Sequence, residues 1–238
     1  LLEEVSHAPG ALPLLSFTLS ELYESYLKSG RQDRALVESD YEQLGGVIGA
    51  LRTKADEAYN SLNQSKQDSM RKLMLRMISL EGRELVGKRV YQDELQFSSE
   101  AQTDEVIKVV QQLVAARLLL SGKDGQGRVY IEPAHDALVR AWARLWEWLK
   151  ATGEENLILQ NKLSQAVKDY TGEANVKKAQ QYLWDDDPRL DLLNAKLQDN
   201  THILNANEEA FVRSSITLRE KKRRRTWAIA IAVMVGLA

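Results

Sequence analysis

The stretch VYIEPAHDALVRAW, Val129 to Trp142, joins a β-type run to an amphipathic helix. Val129, Tyr130 and Ile131 suit a strand, and Pro133 stops it. Asp136 opens the helical pattern, where the positive end of a helix dipole favours an acidic side chain. The spacing of Leu138, Trp142, Leu145 and Leu149 predicts one continuous helix to Ala151. Trp146 and Trp148 widen its apolar face, as in a core helix or a partner-binding face. His135 stands at the joint. Backbone N–H groups at a helix start favour an anion, and an imidazole there adds a directed hydrogen bond to phosphate. The competing reading is a structural histidine with no ligand.

Upstream, RLLLSGKDGQGRVYIE (117–132) reads as a hairpin turning on Gly122, Asp124, Gly125 and Gly127. Before it, Ser99 and Gln102 cap a helix carrying Val106, Val110, Leu113 and Val114. Further back, YQDELQ gives one or two helical turns and ELVGKRV a short strand. Met70, Leu73, Met74, Met77 and Leu80 mark a preceding helix. Helix, strand, helix, helix, hairpin is the order of a winged helix. The expected fold is therefore mainly α with a small β-hairpin, a winged-helix domain flanked by helical segments.

The first block has Pro13 at a helix entry, then Leu15, Leu19, Leu22 and Tyr26 at helical spacing, with Gly30 as the stop. Ser39 and Glu42 form an expected capping box. Gly45, Gly46 and Gly49 permit tight turns or close helix approach. From Glu154 to Leu218 about three helices are expected, interrupted at Pro188, the last beginning at Asn205 or Asn207. The five basic residues Lys221, Lys222, Arg223, Arg224 and Arg225 precede Trp227 and an uncharged run. They read as a cytoplasmic flank and an interfacial tryptophan at the start of a transmembrane helix. The expected domains are 1–63, a helical lid; 64–151, the winged helix with its tryptophan-rich helix; 152–220, a helical linker; and 221–238, the basic flank and span.

The 238 residues carry 32 basic and 34 acidic side chains, a net charge of −2, which argues against non-specific nucleic-acid binding by the chain as a whole. The expected groove-facing helix offers Lys108 and Arg117 against Asp104 and Glu105. The wing sets Lys123 and Arg128 against Asp124. That face neutralises few phosphates. With no cysteine, and with His7, His135 and His202 far apart, a zinc site is not indicated. No Gly-x-x-x-x-Gly-Lys-Ser/Thr phosphate loop occurs.

PGALPLLSFTLSELYE, DYEQLGGVIGAL, LVAARLLL, PAHDALVRAWARLWEWL and KKRRRTWAIAIAV, in this order, resemble the C-terminal part of novel-STAND NTPases. These are signal-transducing ATPases related in plan to NB-ARC proteins and often followed by a membrane span and WD repeats. The resemblance covers nearly the whole chain. It implies that Pro13 lies near adenine, although Ala11 stands where NB-ARC proteins have glycine. It implies that His135 meets the β-phosphate of ADP, with Ala134 in place of the family's methionine. The cofactor would be ADP or ATP, with Mg²⁺ in the full protein. The phosphate cradle would lie in an upstream ATPase core, so this chain alone would not hydrolyse ATP. Protein partners, a homo-oligomer and a cytoplasmic body anchored at a membrane are implied as well. A membrane-tethered DNA-binding regulator and a passive helical adaptor are the other readings.

Overall fold

The computed structural model describes residues 11–82, 84–198 and 204–236. His7 and His202 lie outside the described residues. The chain is mainly helical, with two small antiparallel sheets, and divides into two compact units. Unit 1 comprises Leu1–Leu95 and Ser99–Leu157, and unit 2 comprises Gln96–Ser98 and Ile158–Ala238.

Unit 1 begins with α1 (Ala11–Ser29), which ends at Gly30 in the left-handed conformation expected of a helix stop (φ 69°). Next comes α2 (Glu38–Gln43). Its N-cap is Val37 rather than Ser39, a correction to the expected capping box. Asp40 supplies the reason: its carboxylate accepts from the Val37 N–H at 3.1 Å and is held by both terminal nitrogens of Arg31 at 2.8 and 2.6 Å. That charged clamp outcompetes a neutral hydroxyl cap. A turn then leads into α3 (Gly46–Asn60), with Gly45 and Gly46 both at positive φ (75° and 72°). A Cβ on Gly49 would lie 2.2 Å from the Leu44 carbonyl oxygen, so only glycine closes this turn.

Asn63 caps α4 (Gln64–Arg76) through its side chain, which accepts from Lys66 N. The apolar face ends with Met74, because Met77 is already the C-cap and Leu80 belongs to a strand. β1 (Ile78–Glu81) and β2 (Glu84–Gly87) form a hairpin that the sequence reading assigned to a helix end and one strand. The strand that joins the larger sheet is β3 (Val90–Tyr91), followed by a 3₁₀ turn at Gln92–Leu95. α5 (Glu100–Ala115) starts on the expected Ser99 cap. β4 (Leu119–Lys123) and β5 (Val129–Pro133) make the expected hairpin, and the sheet order is β3-β5-β4. Gly122 lies beneath the Tyr130 ring, where an added Cβ would come within 2.7 Å of it.

The expected single helix after Pro133 is two: α6 (Asp136–Ala141) and α7 (Ala143–Thr152). Trp142 separates them in an extended conformation (φ −77°, ψ 107°). Its side chain is 1% exposed and packs edge-on to Trp148 at 5.1 Å. Leu138, Leu145 and Leu149 are buried, as the stripe requires.

α8 (Glu154–Gly172) follows. Unit 2 also holds the short α9 (Val176–Ala179), a 3₁₀ turn at Gln180–Tyr182, α10 (Arg189–Gln198) and α11 (Ala206–Gly236). Its core gathers Leu159, Leu163, Val167, Leu190, Leu193 and Phe211. Tyr170 and Trp184 meet the Phe211 ring edge-on, at 5.7 and 5.6 Å. Asn205, the first of the two expected starts, caps α11: Asn205 Oδ1 accepts from Glu208 N at 2.8 Å, and Glu208 Oε2 accepts from Asn205 N at 3.0 Å. Ser164 Oγ donates to the other Glu208 oxygen at 2.7 Å, tying the cap to α8. In the turn containing Pro188, Asp187 pairs with Arg189, and Asp185 with Lys222.

Lys221–Arg225 and Trp227 lie on α11, with Trp227, Ile229, Ile231, Val233, Met234 and Val235 exposed. Among the described residues no helix is long and apolar enough to cross a membrane.

Phe211 is fully buried and receives two ring edges, so Phe211→Ala is expected to destabilise unit 2 by about 3–5 kcal/mol. Urea unfolding measures this, and a loss under about 1 kcal/mol would show that this cluster does not hold the unit together.

Candidate functional site

Sequence position separates Pro13 from His135 widely, yet both line one cleft of about 540 Å³. The cleft lies within unit 1. One wall comes from α1 (Pro13, Leu14) and α3 (Ile48), the other from Leu120 of β4, β5 and the start of α6 (Glu132–Ala137), with Arg140 and Ala141 beyond. Its volume is in the range of small-molecule sites.

His135 is the N-cap residue of α6, with extended backbone (φ −143°, ψ 128°) and no side-chain capping bond. Its carbonyl accepts from Leu138 N at 3.0 Å, which leaves the imidazole free of helix duties. Phe17, one turn beyond Pro13 on α1, meets the ring edge-on at 5.5 Å and 60°. Phe17 is 3% exposed, so the histidine is braced on its inner side by a fixed aromatic. Sequence reasoning missed this residue, although its four-residue spacing from Pro13 marks the same helix face. Burial pushes the His135 pKa below its ordinary value of 6.5, so the ring is neutral at pH 7.

The expected helix-start contribution is small. α6 has only six residues, and the break at Trp142 stops its peptide dipoles from adding to those of α7. An anion in this cleft would therefore be met by side chains rather than by the helix end.

The break is held in place by side chains as well. The Trp142 indole N–H donates to Asp56 Oδ1 at 3.0 Å, and Arg144 Nε reaches the same oxygen at 3.3 Å. Carbonyls released by the break find new donors: Arg52 Nε donates to Ala141 O at 2.7 Å and Trp146 Nε1 to Arg140 O at 3.0 Å. Arg52 and Asp56 sit one turn apart on α3, as do Ile48 and Arg52. One face of α3 thus lines the cleft and also fastens the joint that carries His135. Gly87 lies against this joint, where a Cβ would stand 3.3 Å from both Asp136 Oδ1 and Pro133.

The charges are sparse. Glu132 is paired with Arg89 at 2.7 Å. Asp136 and Arg140, both exposed, have no ion-pair partner among the described residues. Lys221–Arg225 and Trp227 belong to unit 2. Among the described residues no three His, Cys, Asp or Glu side chains gather as a metal site.

Two outcomes test this geometry. Asp56→Ala leaves the buried Trp142 N–H without its acceptor and should cost about 1–2 kcal/mol in urea unfolding, with Asp56→Asn costing less; equal stability of both variants and the parent would show the joint is not fastened there. The second concerns pH. A depressed histidine pKa means the unfolded chain takes up a proton first, so wild-type stability is full above pH 6.5 and falls as pH drops below it. Relative to His135→Gln, the wild type should lose stability as pH falls below 6.5; parallel curves would place His135 in open solvent.

Comparison with known families matches residues 1–178 to the family described as Novel STAND NTPase 1. No curated protein and no solved structure matches significantly. With the match covering most of its length, the chain belongs to the Novel STAND NTPase 1 family.

Proposed function

We propose that this chain is the regulatory arm of a STAND-type ATPase, and that the Pro13–His135 cleft closes over a nucleotide. The observation that supports this is the meeting of Pro13 and His135 in one cleft, together with family membership. The residues fit the ligand chemistry. Pro13, Leu14 and Ile48 give an apolar wall for a planar base, and a neutral imidazole offers one N–H donor for a phosphate oxygen. The P-loop core that cradles the phosphates comes from outside these 238 residues, and Mg²⁺ is held there too.

In this reading residues 1–63 form the lid and residues 64–151 a winged helix. The element order from α4 to β5 and the sheet order β3-β5-β4 support the latter. Residues 152–220 are the helical linker. The exposed basic and apolar end of α11 faces a membrane, which leaves the rest of the body cytoplasmic. With ADP bound, Pro13 and His135 clamp lid and winged domain onto the core. ATP favours the released form, which assembles with partners or with further copies. A nucleotide shifts that balance only through its different affinity for the two forms.

The test is ADP release from the full polypeptide. A hydrogen bond to a charged phosphate contributes about 1.5–3 kcal/mol, so His135→Ala should speed release by roughly 10- to 100-fold. It should also produce signalling output without a stimulus. Unchanged release and unchanged output would remove the sensor role.

A further inference from the structure

We infer that Arg140 is the phosphate-anchoring cation of this cleft, a binding residue that neither the sequence motif nor the family match assigns. The inference rests on the nucleotide reading above and extends it to a named charge.

The argument is one of charge balance at the cleft. A neutral imidazole brings hydrogen-bonding capacity and no net charge. Glu132 is already neutralised by Arg89 at 2.7 Å. Asp136, with no ion-pair partner among the described residues, contributes one negative charge to the lining. Without a further cation, this lining would add net negative charge beside a diphosphate. Arg140 lines the same cleft and is the basic side chain in its lining. It stands four residues after Asp136, a spacing at which the two could pair on a helix, yet no salt bridge joins them. Its backbone carbonyl is engaged by the Trp146 indole at 3.0 Å, which fixes the base of the side chain. The guanidinium itself is exposed and has no ion-pair partner among the described residues. Arg52, the neighbouring cation, is committed through Nε to the Ala141 carbonyl. A planar five-donor fork with no ion-pair partner among the described residues, in the same cleft as the imidazole, suits a phosphate oxygen pair.

Division of labour follows. His135, braced by Phe17, sets direction. Arg140 supplies attraction and tells a phosphorylated ligand from a bare nucleoside. Because the guanidinium is exposed, its contribution is moderated by solvent and salt.

The experiment is calorimetric titration of the full polypeptide with ADP and with adenosine at two salt concentrations. Arg140→Gln should weaken ADP about fivefold, leave adenosine unchanged and flatten the salt dependence. Arg140→Lys should keep the salt dependence, because the charge remains. If ADP binds the wild type and Arg140→Gln equally, with the same salt slope, while His135→Gln still weakens it, Arg140 is not the anchor and the cleft reading stands. If neither variant changes ADP binding, both proposals fall. A loss for adenosine equal to that for ADP would also overturn the assignment, since it would mark a structural role.

Discussion

The hydrogen bond from the buried Trp142 indole to Asp56 is the contact on which the candidate site depends. An indole sunk to 1% exposure must find an acceptor, and Asp56 is where it finds one. To bring the ring there, the backbone leaves the helix at Trp142. The break frees carbonyl groups that a continuous helix would have satisfied. Arg52 and Trp146 take them, one from α3 and one from α7. A single buried aromatic thus sets the direction of α6, and α6 carries both His135 at its start and Arg140 near its end.

This explains why the sequence misleads at that point. Leu138, Trp142, Leu145 and Leu149 keep helical spacing across the break, and neither proline nor glycine marks it. Periodicity reports which side chains are buried, and all four are. It does not report whether the backbone hydrogen bonds run unbroken, because here side chains replace them. The β1–β2 hairpin was hidden for a similar reason: Leu80 prolongs the apolar spacing of α4, although the chain has already turned into a strand. The Asn205 cap and the β4–β5 hairpin were legible, since their signals are local and chemical rather than periodic.

The site was legible only in part. His135 stood out by its place at a helix start and Pro13 through a resemblance, and nothing in their spacing says that they share a cleft. Phe17 could have been inferred from its position one turn after Pro13. Arg140 could not, because its interest lies in which neighbours are already paired. That Glu132 is neutralised by Arg89 while Asp136 has no ion-pair partner among the described residues is a fact of three-dimensional packing.

The same packing indicates how a ligand in this cleft would act on conformation. Most of the lining comes from α1, α3 and the β5–α6 joint, three pieces of chain distant in sequence, with Leu120 of β4 beside them. Their mutual contact is fastened by modest interactions: the Arg52 and Asp56 bonds, the Phe17–His135 edge contact, and a Ser20–Arg117 bond at 2.8 Å. Several of these side chains are exposed, so each bond contributes little on its own. A ligand that touches all three pieces at once adds its binding free energy to that contact, and its loss removes it. Fastenings of this strength hold the arrangement without making it permanent, which is the balance a nucleotide-dependent clamp requires.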